Sequence, residues 1–148
     1  MDLPKMRTYR LFKSVPGIEP YLYITNRNHR QALTRFRLSA HHLHIETGRW
    51  SKTPVENRIC KMCDNQDIED EQHFLLSCPS FSELRTDLLT TANQEIGDFT
   101  NMDNTRKFTQ ILTTNNSRLL HELAKFIHLS FMKRTEIMMD QQPEETLN

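Results

Sequence analysis

The fold is decided by Arg58-Ile-Cys60-Lys-Met-Cys63 and, nine residues further on, His73-Phe-Leu-Leu-Ser-Cys78-Pro79. These two segments hold all three cysteines of the chain and one histidine, spaced Cys-x2-Cys-x9-His-x4-Cys from Cys60 to Cys78. Zinc takes four nitrogen or sulfur ligands in a tetrahedron, and Cys3His is a closed structural set with no vacant position. Two cysteines separated by two residues point into one tight turn whose backbone amides stabilise the thiolates. His73 and Cys78 are five apart, which on a continuous α-helix leaves them about 140° from one another. The helix carrying His73 therefore has to end between them, and Pro79 is the residue type that enforces such an end.

Two other readings of the cluster carry less. Three buried, hydrophobe-like cysteines beside a surface histidine give no reason for the clustering at ligand spacing. A redox Cys-x-x-Cys would need a surrounding βαβ pattern, which the sequence lacks. A RING or LIM module needs twice as many ligands, and a retroviral-type knuckle has a much shorter gap between its second cysteine and its histidine.

Working outward, Leu33, Phe36, Ala40 and Leu43 recur at spacings of three and four, which predicts one helix from Asn28, its N-cap, to about Ile45, with Gly48 as its stop. Residues 1–27 read as a basic, irregular N-terminal arm with a short apolar helix or turn at Pro20-Tyr-Leu-Tyr-Ile-Thr25. Past the first cysteines, the acidic run from Asp64 to Glu71 favours a helix start by its charge against the exposed amide dipoles. A short helix over about Asp70 to Leu76 follows. Ser80-Phe-Ser-Glu83 has the pattern of a capping box for a helix carrying Phe81, Leu84, Leu88 and Leu89. Residues 28–92 thus form one unit of helix, zinc knuckle and helix. Residues 93–116 hold a loop and a short helix with Phe108, Ile111 and Leu112. Asn115-Asn-Ser117 caps a long amphipathic helix over 117–140, with Leu119, Leu120, Leu123, Phe126, Ile127 and Phe131 as its apolar stripe. Residues 141–148 are a polar tail. The expected fold is mostly α, a small helical domain organised around a single Cys3His zinc knuckle.

Composition fits that picture. The 148 residues are sized for one domain, and 36% apolar content makes its core thin enough to need a staple. No window is apolar for long enough to span a membrane and the start has no signal-peptide pattern, so the expected setting is intracellular, nuclear or cytoplasmic, where thiols stay reduced. The net charge of zero hides an asymmetry: eleven Lys or Arg against four Asp or Glu precede Ile59, giving +7, and the remainder carries −7. Such a dipole means either a polyanion-binding face or two halves that attract each other. His41 and His44 share a helix side with Arg30 and Arg37, which reads as a solvated polar face rather than a second metal site.

The run from Arg35 to Arg49, Arg58-Ile-Cys60-x2-Cys63, the segment Ile68-Glu-Asp-Glu-x-His73-Phe-Leu-Leu-x-Cys78-Pro79 and Leu84-Arg85 together resemble the C-terminal zinc-binding segment of reverse transcriptases from non-LTR (LINE-type) retrotransposons. The match covers roughly residues 7 to 92. The resemblance implies a segment that follows a polymerase thumb and helps hold template RNA or target DNA. The family's polymerase centre uses an aromatic-x-Asp-Asp turn, and this chain has no Asp-Asp pair, so the reading is a detached or domesticated tail, or a fragmentary gene product. The gap between Cys63 and His73 is longer than in many members of that family.

A closed zinc site leaves no place for a catalytic water, and no phosphate-cradling glycine loop or free nucleophile set accompanies it, so no enzyme activity is expected. Arg27, Arg30, Arg37, Arg49, Lys52 and Arg58 are the candidate phosphate contacts, with Tyr21, Tyr23 and Trp50 as candidate stacking platforms for RNA or DNA. The alternative is a zinc-stabilised protein-interaction module, with a protein partner on the C-terminal helix.

Overall fold

Phe74, the residue after His73, sits at the centre of the core. Its ring lies 4.6 Å from that of Phe131, 5.1 Å from Phe81, 5.7 Å from Phe126 and 5.9 Å from Phe36, centroid to centroid. These four neighbours come from three different parts of the chain, Phe126 and Phe131 sharing one helix, so the segment holding two of the candidate ligands is also the hub of the hydrophobic packing.

The computed structural model describes Met6, Tyr9 and residues 17–142. Most of the N-terminal arm and the tail from 143 onward lie outside the described residues. Among the described residues from 17 onward, five α-helices follow in order: α1 (Arg27–Arg37), α2 (His44–Trp50), α3 (Ser82–Glu95), α4 (Asn104–Leu112) and α5 (Ser117–Asp140). Short 3-10 turns at Pro20–Tyr23, Val55–Asn57, Pro79–Phe81 and Phe99–Asn101 join them. The architecture is mostly helical, and α5 is its spine, packing against both α1 and α3. Leu119, Leu120, Leu123, Phe126 and Ile127 line its buried face, while Phe131 is half-buried. The caps are local and polar: Asn26 accepts from His29 N–H at 3.1 Å, Asp103 from Arg106 at 2.9 Å and Asn116 from Leu119 at 3.0 Å.

Three expectations are corrected. The helix expected over 28–45 is two helices: α1 stops at Arg37, and Ser39 takes a left-handed φ of 56° that turns the chain into α2. Serine seldom adopts that conformation, so no Gly or Asn marks the break. Ala40, expected on the apolar face, is exposed in this turn. Gly48 does not stop a helix but lies buried inside α2. A Cβ there would come within 2.6 Å of the Arg58 stem, so glycine is required for that side chain to cross the helix. The Ser80 hydroxyl does not cap α3. It bonds to the Met62 carbonyl and ties the turn after Cys78 to the loop between Cys60 and Cys63. The α3 helix starts from the Pro79–Phe81 turn with no side-chain cap.

Candidate metal centre and basic surface

The knuckle begins with a minimal antiparallel bridge, Ile59 to Ile68. Cys60 N–H donates to Asp67 O at 2.8 Å and Glu69 N–H to Arg58 O at 2.9 Å, which closes residues 60–67 into a tight loop. Backbone amides inside the fold face the sulfurs: Met62 N–H lies 3.4 Å from Cys60 Sγ, Asn65 bonds to Cys63 and Ser80 to Cys78. The second half is a helical turn, capped where Asp70 Oδ1 accepts from His73 N–H at 2.8 Å.

That turn answers the geometric problem posed by ligands five residues apart. From His73 to Ser77 the helix widens into a π-turn, and Cys78 N–H bonds to His73 C=O at 2.8 Å. A turn closed by an i→i+5 bond brings His73 and Cys78 toward one side, so the helix need not end between them. It ends at Cys78 itself, in the extended conformation that the following Pro79 demands.

Cys60 Sγ, Cys63 Sγ, His73 and Cys78 Sγ offer ligand atoms that all lie within 4.8 Å of one another. Cys60 and Cys78 sulfurs are 3.9 Å apart, and Cys63 Sγ is 3.5 Å from His73 Nε2. A tetrahedron with metal–sulfur bonds of about 2.3 Å and a metal–nitrogen bond of about 2.0 Å has edges of roughly 3.8 and 3.5 Å. The group therefore fits a single ion. Nδ1 of His73 faces the Asp67 carboxylate at 3.6 Å, the arrangement that orients a ligating imidazole.

The protonation of the four groups points the same way. Cys60 donates toward Cys78; this bond and burial push the Cys60 thiol up to about 12, and the same bond holds Cys78 below its ordinary value. Burial pushes Cys63 up as well. For His73 burial works downward, but Cys60, Asp67 and Asp70 outweigh it and raise the imidazole. Three sulfurs packed this closely, two of them buried and one half-buried, cannot all ionise without a cation among them.

Around this centre lies a shell of buried charge that spacing rules do not reveal. Glu69, 1% exposed, accepts from Arg134 on α5 at 3.0 and 2.7 Å, and its Oε2 is 3.8 Å from Cys60 Sγ. The same carboxylate accepts from His44 N–H at 2.7 Å, capping α2, whose own N-cap Leu43 provides no side-chain acceptor. Arg85 of α3 donates to the carbonyls of Leu75, Phe74 and Cys78 at 2.8, 3.1 and 2.9 Å, satisfying the end of the π-turn. Burial holds its guanidinium below the usual arginine value. Lys133 donates to Ser80 O at 2.7 Å, a second tie from α5.

The acidic run was expected to serve a helix start, and Asp70 does so, whereas Glu69 and Glu71 are buried in bonds to other elements. Glu71 is buried against His41, which accepts from Leu43 N–H at Nδ1 and so donates Nε2–H to Glu71 Oε1 at 2.9 Å. His41 is thus part of the interior and not of a solvated face. His44 is half-buried, its Nδ1 2.8 Å from Ile59 O. A signal for Arg134 and Arg85 did exist in the sequence. Each occupies a position on the apolar stripe of its helix, Arg134 after Phe126, Ile127 and Ser130, and Arg85 between Phe81 and Leu88, where an arginine must find a buried partner.

The candidate phosphate contacts divide. Arg37 is buried, donating to Leu112 O at 2.7 Å and pairing with Glu19 at 3.4 Å, with its guanidinium 4.6 Å above the Tyr21 ring; burial lowers its pKa. Arg58 is buried, donating to Ile45 O and Thr53 O at 2.9 Å each. Neither is available to a phosphate, because desolvated guanidinium groups are already spent on carbonyls at the ends and bends of other elements. Arg30 is half-buried and donates to Ile24 O at 2.7 Å. Arg27 and Lys52 are exposed, and Arg49 is half-buried beside Glu46 at 3.6 Å. Arg35 and Lys61 are exposed as well. Of the aromatic candidates Tyr21 is buried, whereas Tyr23 and Trp50 are 73% and 66% exposed.

No described helix is long and apolar enough to cross a membrane. Comparison with protein-family models, with curated proteins and with solved structures gives no match for this chain.

Proposed function

We propose that Cys60, Cys63, His73 and Cys78 hold one structural zinc ion, and that the domain it fixes binds nucleic acid without polymerase activity of its own. Three thiolates and one imidazole are the donor set that zinc prefers, and four protein ligands leave no position for a reacting water. The zinc would supply folding energy rather than chemistry.

One observation carries the nucleic-acid reading: once the internally used arginines are set aside, residues 27–61 still expose Arg27, Arg35, Lys52 and Lys61 against the single exposed acid Glu56, with exposed Trp50 in the same stretch of sequence. Cations that outnumber acids beside a bare indole suit a phosphate backbone and its bases. The resemblance of the Cys3His segment to the tail of LINE-type reverse transcriptases supports the same reading. A protein-interaction module is the second reading, and exposed Met132 and Met139 on α5 favour it.

The test is metal analysis of the purified protein followed by salt-titrated binding to single-stranded RNA, single-stranded DNA and duplex. One zinc per chain is expected, with micromolar-range binding whose log affinity falls against log salt with a slope of about −3 for four contacts on a single strand. Absence of salt-sensitive binding to any of these at low ionic strength refutes the nucleic-acid reading and leaves the second.

A further inference from the structure

Residues of α1, of the turn after it and of α5 line an open groove of about 570 Å³. We infer that this groove seats one unpaired nucleic-acid strand, with a base on its floor and phosphates along its rim. The inference rests on the nucleic-acid reading above and names the strand type and the place.

Half-buried Ala32 and Phe131 form an apolar floor with exposed Ala40 and Met132 beside them; the rest of the lining is polar, cationic or neutral, and no Asp or Glu among the described residues belongs to it. Two kinds of cation meet there. Arg35 is exposed and carries no ion pair among the described residues, so it presents charge to a phosphate, and the exposed His42 imidazole beside it can hydrogen-bond one. Arg134 lies deeper and differs. Glu69 holds its Nε and Nη2 and neutralises its charge, leaving Nη1 as the guanidinium nitrogen that Glu69 does not engage. An arginine fixed and neutralised in this way suits a neutral acceptor, such as the carbonyl or ring nitrogen of a base, better than a phosphate.

Trp50 extends this surface. Its ring lies 6.2 Å from that of His42, centroid to centroid, at 74°, and the side chain is 66% exposed next to this groove residue. A duplex cannot use such a site, because its bases are stacked on one another and present only their edges. An unpaired strand can place a base against the apolar floor and stack its neighbour on the indole. The charge of the lining argues against a cationic or purely apolar occupant. The groove is also tied to the metal, since His41 and Arg134 in its lining are held by Glu71 and Glu69 of the segment between Cys63 and His73.

The experiment uses zinc-loaded protein with short labelled single strands of RNA and DNA and a hairpin duplex of the same composition. Binding is read by anisotropy, and Trp50 emission is a local probe because it is the sole tryptophan. Single strands are expected to bind about tenfold tighter than the duplex and to quench Trp50. Ala40→Glu and Met132→Glu, both at exposed groove positions, are each expected to weaken single-strand binding about tenfold with zinc content and melting unchanged, whereas Arg27→Glu, outside the groove, weakens it only a few-fold. Salt-sensitive binding that ignores both groove variants, or that favours duplex with Trp50 unquenched, overturns the groove and leaves the nucleic-acid reading standing. Absence of salt-sensitive binding to every strand overturns both, and the groove then falls to an acidic protein segment.

Discussion

Arg134→Met tests whether the C-terminal helix and the metal loop are one cooperative unit. The change keeps most of the side-chain volume and removes the one cation that, among the described residues, pairs with Glu69, a carboxylate that is 1% exposed and lies 3.8 Å from the Cys60 sulfur. Deleting one partner of a buried, doubly bonded ion pair costs about 3 to 5 kcal/mol, because the other charge is left buried without compensation. At about 2 to 4 °C per kcal/mol for a chain of this size, melting should fall by roughly 6 to 20 °C. The assay is urea unfolding at a fixed free zinc concentration, since zinc bound only by the folded state would otherwise mask the loss. Two comparisons isolate the cause. The exposed pair Arg118–Glu95 gives the scale for a surface ion pair, and Arg118→Met should cost no more than about 1 kcal/mol. Glu69→Gln combined with Arg134→Met should recover most of the loss, because the amide oxygen can still accept from His44 N–H while no charge remains buried. An Arg134→Met protein no less stable than Arg118→Met, or a double variant no better than the single, would refute the coupling.

Three further outcomes follow from the same contacts. Cys78→Ser should abolish stoichiometric zinc and unfold the centre of the domain, since apparent zinc binding in small structural sites is worth roughly 10 to 16 kcal/mol; circular dichroism and metal analysis check it. Gly48→Ala should destabilise by about 1 to 3 kcal/mol in urea unfolding, despite the better helix propensity of alanine, because the new methyl meets the Arg58 stem at 2.6 Å. Burial, then the charges of His128, Lys125 and His121, hold His29 below its ordinary value of 6.5, so its contribution to stability is complete above that pH and is lost as pH falls through the folded value; in saturating zinc, His29→Gln should flatten the loss of stability on acidification below pH 6.5.

The Cys3His cluster was legible because its chemistry is local in sequence: three thiols and an imidazole at ligand spacing, which the fold brings within 4.8 Å of one another. Helices with strong apolar periodicity, α4 and α5 above all, were legible for the same reason. The break between α1 and α2 was not. It turns on Ser39 in a left-handed conformation, and what accompanies it is burial of Leu43 and Ile45 and the distant tie from His41 to Glu71, none of which local spacing reveals. Gly48 misled in the opposite direction, since a glycine past an apolar run reads as a stop and here marks a close approach from Arg58. The π-turn was equally hidden, because a helix that widens by one residue leaves no compositional trace.

The basic half misled most, and for a reason that reaches beyond this chain. Neither reading of the charge asymmetry anticipated where the arginines go. Arg30 binds the carbonyl of Ile24 after the Pro20–Tyr23 turn, Arg37 that of Leu112 at the end of α4, and Arg85 the carbonyls that close the π-turn. Short helices are numerous here, and each ends in carbonyls with no intrahelical partner. With only 3 glycines in the chain, few of those ends can be closed by a left-handed glycine, and a long, permanently charged fork that reaches from a neighbouring helix does the work instead. Arginine content in a small, glycine-poor helical domain therefore measures the number of helix ends before it measures affinity for phosphate. What remains for phosphate is the set that caps nothing, and in this fold Arg35 and Lys52 belong to it while Arg37 and Arg58 do not.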